Sequence, residues 1–216
     1  MSNLRVISDV HGKYDKYLDV VADCDYSVQL GDFGFEYGCL NQLSQDRHKI
    51  CLGNHENYDH RPTGYDLGDY GIATLGSHEF FYVRGGFSLD LQSRIQHEQI
   101  TGVKSWWSNE QLSVKECEDC LELYNREKPD VVMSHSCPAE ISNIIGMPGF
   151  LRSFGWSEDM TTQTQHLLQF MFEDWQPKIH IFGHMHRNWE QTINGTKFIC
   201  INELEYIDFN ENWEIV

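Results

Sequence analysis

Hydrophobic and polar positions along the first fifty residues alternate between two rhythms. Residues 4–8 (LRVIS), 26–30 (YSVQL) and 48–52 (HKICL) are short apolar runs of strand length. Between the first two, Tyr14, Tyr17, Leu18 and Val21 recur at helical spacing, and residues 39–46 leave room for a short helix. The order strand–helix–strand–helix–strand predicts βαβ units and a mainly parallel sheet. The rhythm then changes. IATL, EFFYVRG and GFSLDL read as short strands set off by glycines at hairpin-like spacing, which predicts antiparallel strands or a second sheet. Residues 108–126 present Leu112, Cys120, Leu121 and Tyr124 on one helical face, with Ser108 and Gln111 in capping-box positions. DVVMS (130–134) predicts a buried strand, and 140–158 a long loop rich in glycine and aromatics. TTQTQHLLQFMFEDW predicts a helix closed by Pro177, and KIHIF, NWEQTI, KFICI and WEIV predict a strand-rich end. No repeat or low-complexity linker interrupts the 216 residues, so a single domain, 1–216, is expected.

Composition narrows the picture modestly. At 40% hydrophobic residues the chain is globular in character, and it has no 18-residue apolar run to span a membrane. The N-terminus enters a strand pattern at once and lacks a basic segment followed by an apolar one, so no secretory signal is expected. Seven cysteines are scattered along the chain. Cys24, Cys51, Cys137 and Cys200 sit in or beside apolar runs, and free thiols point to a reducing, cytoplasmic setting. A net charge of −17 argues against a duplex nucleic-acid partner, and nothing in the sequence sets an oligomeric state. Part of that negative charge is deceptive if some carboxylates hold divalent cations.

The ends of the predicted strands carry the chemistry. The first ends SDVHG, with Asp9 and His11; the second LGDFG, with Asp32; the third LGNHE, with Asn54 and His55. The 130s strand ends in His135, and KIHIF runs into GHMH, with His184 and His186. In open α/β sheets, ligands bind outside the carboxyl ends of strands. Residues i and i+2 of extended chain share a face, so Asp9 with His11, and His184 with His186, can each converge on one point. Gly31, Gly53 and Gly183 leave room for the backbone to turn sharply there. Each piece alone is a commonplace hydrogen-bonding pair; five together, each at a strand end, are not.

The series D-x-H, G-D, G-N-H-E, S-H and G-H-x-H resembles the calcineurin-like metallophosphoesterase superfamily. The segment GGFSLDLQSR…KSWWSNEQLS is similar to one found in small stand-alone bacterial and phage members. The resemblance implies an α/β fold: a four-layer α/β/β/α sandwich of two mixed β-sheets flanked by helices, with a dinuclear metal site at the C-terminal ends of strands. It implies one metal held by Asp9, His11, Asp32 and His186, and another by Asp32, Asn54, His135 and His184, with Asp32 bridging. Such N/O donors suit Mn, Fe, Zn, Co or Ni better than Ca or Mg, with Mn expected to serve best in vitro. Asn54 contributes a neutral oxygen, which keeps the pocket cationic enough for a phosphate. His55 is then the catalytic residue: it protonates the leaving group while a metal-bridging hydroxide attacks phosphorus.

The implied substrate is a small phosphodiester or phosphomonoester, nucleotide-like in character. Arg61, Arg94, Phe150, Arg152 and Arg187 are the residues expected to touch it. Loop 140–158 leaves from a strand end that carries a ligand; its aromatics would cover a base while Arg152 meets a phosphate. Glu56 is expected to orient His55 or a ligand, or else to be a plain surface or helix-cap residue, and Trp106 and Trp107 to pack. Two other readings compete. A protein phosphatase of this superfamily carries G-D-x-x-D-R-G, whereas here Glu36 and Tyr37 fill the Asp and Arg places, and SHSCP replaces SHGG. A non-catalytic scaffold would tend to lose ligands, whereas this chain keeps all of them together with His55.

Overall fold

A computed structural model describes residues 3–216, with residues 147 and 148 described by their backbone alone. In chain order the first elements are β1 (Leu4–Ile7), α1 (Tyr14–Val21), β2 (Tyr26–Gln29), β3 (His48–Ile50), β4 (Tyr70–Leu75), β5 (His78–Val83) and α2 (Leu91–Thr101). There follow α3 (Val114–Glu127), β6 (Val131–Ser134), α4 (Ala139–Ile145), α5 (Met147–Ser153), α6 (Gln163–Asp174), β7 (Ile179–Phe182), β8 (Trp189–Ile193), β9 (Thr196–Cys200) and β10 (Tyr206–Phe209).

The strands build two mixed sheets, ordered β10-β1-β2-β3 and β4-β5-β6-β7-β9-β8. In the first, β1, β2 and β3 run parallel and β10 closes one edge antiparallel. In the second, β5, β6, β7 and β9 are parallel, with antiparallel β4 and β8 at the edges. The sheets face one another across Leu4, Val6, Val28, Leu30, Phe80, Met133, Ile181 and Ile199. The outer face of the first sheet packs on Tyr17 and Val21 of α1, and that of the second on α3 and α6 through Cys120, Tyr124, Leu168 and Met171. Central strands are therefore covered on both faces, which explains why LRVI, VVM and IHIF read as near-continuous apolar runs. The four-layer expectation holds. Among the described residues, no helix is long and apolar enough to cross a membrane.

Four local readings need correction, and tertiary partners explain most of them. GFSLDL is not a strand. Gly85, at φ 94°, turns the chain after β5, the Ser88 N–H goes to the Glu110 carboxylate rather than to a neighbouring strand, and α2 starts at Leu91. The helix placed at 108–126 begins only at Val114, behind a Ser113–Glu116 capping box. The alternative cap is spent elsewhere: the Gln111 side chain accepts from the N–H and hydroxyl of Thr164 at the start of α6. Segment 140–158 holds α4 and α5, separated by Gly146 at φ 96°. The short helix expected within 39–46 is present as a 3₁₀ helix, Gly38–Gln42. WEIV forms a single bridge, Phe209 to Ile215; the strand paired with β1 is β10, where Asp208 meets buried Arg5.

Candidate metal centre and active site

The candidate donors come together because β1, β2, β3, β6 and β7 all end at the same edge of the sandwich. Asp9, His11, Asp32 and His186 form one cluster and Asp32, His135 and His184 another, the donor atoms in each lying within 4.8 Å of one another. Asn54 joins the second, its Oδ1 3.1 Å from His135 Nε2. Asp32 belongs to both. Its Oδ1 lies 3.2 Å from His135 Nε2, and its Oδ2 lies 3.7 Å from His11 Nε2.

The backbone is bent to make this arrangement. Asp9 (φ 48°), His11 (47°), Asp32 (56°), His184 (66°) and His186 (47°) all occupy the left-handed region. Non-glycine residues enter it at a cost of about 1–3 kcal/mol each, and persist there when their surroundings over-determine them. Gly31, also at positive φ, and Gly53 lie against each other and against His135 and Asp32. Gly183 is tighter still: a Cβ there would stand 2.6 Å from Asp9 Oδ2 and closer yet to Ser8 Oγ. Gly183→Ala is therefore expected to displace Asp9 and to lower metal affinity at least tenfold. Equilibrium dialysis with Mn checks this, and unchanged affinity would refute the packing argument.

Hydrogen bonds leave lone pairs aimed inward. Asp9 Oδ2 accepts from Ser8 Oγ and from the His184 N–H (3.0 Å), whereas Asp9 Oδ1 is buried without a hydrogen-bond partner among the described residues, the His186 Nε2 lying 3.4 Å away. His135 Nδ1 lies 2.7 Å from the Leu30 carbonyl; donation there leaves Nε2 as the inward lone pair. His11 Nε2 and His186 Nε2 face each other at 3.0 Å, and His135 Nε2 faces His184 Nδ1 at 3.1 Å. Paired imidazole nitrogens and an orphaned carboxylate oxygen fit a shared cation. The charge balance agrees. Burial opposes ionisation of Asp9 and Asp32, but the surrounding imidazoles hold both below the ordinary carboxylate range. Burial likewise opposes charge on His135, yet Asp32 brings it up to about 9.

His55 stands beside these donors. Its N–H donates to Asp32 Oδ1 at 2.7 Å, and its ring meets His11 edge-on at 4.9 Å. Arg94, buried and bonded to Asp90 (2.7 Å) and the Ser105 carbonyl (2.8 Å), brings its guanidinium within 2.6 Å of His55 Nδ1. Burial, partly offset by Asp32 and assisted by Arg94, lowers the affinity of His55 for a proton.

Among the described residues the Glu56 carboxylate makes no hydrogen bond to His55, and it is not a surface group. Fully buried, it accepts from the N–H groups of Phe33 (2.9 Å) and Gly53 (3.3 Å) and from the Tyr37 hydroxyl (2.8 Å), tying the loops after β2 and β3 together. Burial pushes its carboxyl up to about 8. Between the ordinary value of 4.5 and about 8, the folded chain keeps a proton that the unfolded chain releases. The Glu56 contribution is thus favourable at low pH and lost as pH rises through that window. Glu56→Gln keeps the shape of the protonated form. The wild-type melting temperature should therefore fall relative to the variant's as pH rises across the window, and parallel curves would contradict the assignment.

A cleft of about 450 Å³ opens over the centre, lined by His11, Asp32, Asn54, His55, His184 and His186, with Phe87, Leu89, Phe150, Phe154 and Met185 as its apolar wall. Asp90 and Arg187 complete it, and Arg187 also donates to the Ile145 carbonyl at 2.7 Å. Two of the arginines expected at the substrate lie elsewhere. Arg61 is engaged by Asp66 and by Asp69 (2.7 Å) and lines a separate cavity with Arg84. Arg152 is exposed and paired with Glu158. Arg94 touches His55 rather than the cleft space. Phe87, Leu89 and Met185 gave no recognisable signal in the sequence. Ser88 and Glu110 did, as parts of the GGFSLD and WWSNE stretches, but without a role.

The calcineurin-like phosphoesterase model matches residues 3–188. The chain belongs to that family. The matched span of this phosphoesterase domain takes in every candidate donor from Asp9 to His186. Among solved structures, a dimetal phosphatase from Danio rerio is similar at 14% identity and a TM-score of 0.55, over 96% of this chain and 91% of that one. The phosphopantetheinyl hydrolase of Mycobacterium tuberculosis is similar at 12% identity and a TM-score of 0.50, over 94% and 90%. At such identities these likenesses speak to the fold alone. A comparison with curated proteins gave no match.

Proposed function

We propose that the chain is a dinuclear-metal-dependent phosphoester hydrolase that cleaves phosphodiester or phosphomonoester bonds of a small, nucleotide-like substrate. One observation carries the reading: two donor clusters share Asp32 at the floor of a cleft whose wall is apolar. Asp9, His11, Asp32 and His186 would hold one ion, and Asp32, Asn54, His135 and His184 the other, with Mn, Fe, Zn, Co and Ni as candidates. When bound, the two ions supply Lewis-acid polarisation of the phosphoryl oxygens and lower the pKa of water. The chain's own residues do the rest. Asp32 divides its oxygens between the clusters. Asn54 adds a donor without adding negative charge, so the pocket stays attractive to an oxyanion. His55, at the cleft wall beside Asp32, delivers a proton to the departing alcohol. Phe87, Phe150 and Phe154 offer a surface on which a base or another apolar group can rest, while the phosphate would lie over the centre that the donors build below.

Turnover of bis-p-nitrophenyl phosphate, p-nitrophenyl phosphate, nucleotides and a phosphopeptide with Mn tests the reading. Hydrolysis of the phosphopeptide alone would favour a protein phosphatase, and no turnover of any would favour a scaffold. The wall makes a finer prediction. Phe150→Ala should raise KM for a nucleotide substrate about 2–10-fold, the worth of one aromatic contact. KM for p-nitrophenyl phosphate, which is too small to reach the wall, should hardly change. Arg152→Ala, altering an exposed side chain paired with Glu158, should change neither. Equal effects of Phe150→Ala on both substrates would remove the wall from recognition.

A further inference from the structure

One feature of the cleft floor is not needed for the chemistry above, yet it is fully buried and fully bonded. Ser88 and Glu110 are both buried, and so is Asn54. The Glu110 carboxylate accepts twice from Ser88: Oε1 from its N–H at 2.8 Å and Oε2 from its hydroxyl at 2.7 Å. The Ser88 hydroxyl proton is therefore spent on Glu110, and Oγ turns a lone pair to Asn54, whose Nδ2 lies 3.3 Å away. The Asn54 amide is thereby fixed with nitrogen outward and oxygen inward, toward His135 Nε2. Gly86 backs the same amide: a Cβ there would stand 2.8 Å from Asn54 Oδ1 and 3.0 Å from His135. Gly85, one residue earlier, lies so close to the Glu110 carbonyl that no side chain fits. The segments GGFS and WWSNE, far apart in sequence, thus meet behind a single side chain.

We infer that Ser88 and Glu110 are positioning residues which set the polarity of the Asn54 amide, so that its oxygen rather than its nitrogen faces the second metal. This rests on the reading of Asn54 as a donor. The physical point is that an amide, unlike a carboxylate, ligates with one end only. Flipped by half a turn, Asn54 would present an N–H₂ group to a cation and bind nothing. The direction of the hydrogen-bond chain decides between the two orientations, and the charge on Glu110 decides the direction. A glutamine at 110 must still accept the Ser88 N–H, so its amide nitrogen faces Ser88 Oγ and donates to it. The Ser88 proton is then released toward Asn54, where it favours the flipped amide.

The test is a Mn titration with counted stoichiometry on wild type, Glu110→Gln, Ser88→Ala, Asn54→Asp and the doubles in the Asp background. It is run at about pH 8, above the value of about 7 to which burial pushes Glu110 despite its bonds from Ser88. Melting curves establish that each variant folds. Wild type should take two ions. Glu110→Gln and Ser88→Ala should each weaken one of them about 10–100-fold, the usual effect of losing an outer partner, and leave the other unchanged. In the Asn54→Asp background the same changes should cost little, because a carboxylate presents oxygen in either orientation. Glu110→Gln and Ser88→Ala binding two ions as tightly as wild type would overturn the inference while leaving the donor assignment standing. So would equal losses in the Asn and Asp backgrounds, which would mean a general structural role. Wild type binding fewer than two ions would overturn the donor reading and the inference with it.

Discussion

Asp32→Ala is expected to reduce kcat/KM by more than ~10³-fold, because charge stabilisation by a metal is worth several kcal/mol and each 1.36 kcal/mol is a decade in rate. Among the described residues no other candidate donor belongs to both clusters: Oδ1 faces the His135 side and Oδ2 the His11 side. The same carboxylate also receives the His55 backbone N–H, so its removal frees the loop that carries His55. Metal analysis should show both ions weakened. Asn54→Ala, which touches one cluster only, should keep one ion near full occupancy and lose less activity. A milder defect for Asp32→Ala than for Asn54→Ala would contradict the bridging geometry. Exhaustive chelation should mimic the Asp32 variant and be reversed by added Mn. Full activity after chelation, with metal absence verified by elemental analysis, would rule out a metal-dependent reaction.

His55→Ala should slow the chemical step by about 10²–10⁴-fold, the usual contribution of a general acid, while both ions remain bound. The geometry separates it from the donors. Its backbone N–H holds Asp32, whereas its ring sits against Arg94 and His11 at the cleft wall. Loss of the ring should therefore leave the donor set intact. The defect should shrink for p-nitrophenyl esters, whose leaving group needs little protonation, and grow for alkyl and nucleoside leaving groups. Near-zero metal occupancy in the variant would make His55 a ligand instead. A uniform defect across leaving groups would assign it to positioning rather than proton delivery.

Much of the candidate donor set was legible in the sequence because its signals are local. A strand that ends in Gly next to Asp, Asn or His shows in three letters, and period-two spacing brings Asp9 with His11 and His184 with His186. Helix boundaries were less legible for the opposite reason. Ser108–Gln111 and Ser113–Glu116 are equivalent as local caps, and only the N-terminus of α6, which claims Gln111, decides between them. GFSLDL alternates like a strand, but Glu110, some twenty residues on, takes the Ser88 N–H that a strand would have shared.

What the sequence determined by itself, then, is which chemistry the chain can do: nitrogen and oxygen donors, an imidazole next to an amide, and glycines where the backbone must turn. Which arginines and aromatics face that chemistry was decided only by the tertiary structure. Arg61 and Arg187 both follow a histidine motif within a few residues, yet Asp66 and Asp69 draw Arg61 away while Arg187 lines the cleft. The reason is physical. A donor at a strand end is placed by its own strand and the register of its neighbours. A long flexible cation goes to whatever carboxylate or carbonyl the fold brings within reach, and that partner can lie anywhere in the chain. The orientation of the Asn54 amide is the extreme case, since two atoms that no sequence distinguishes are told apart by Ser88 and Glu110, 34 and 56 residues away.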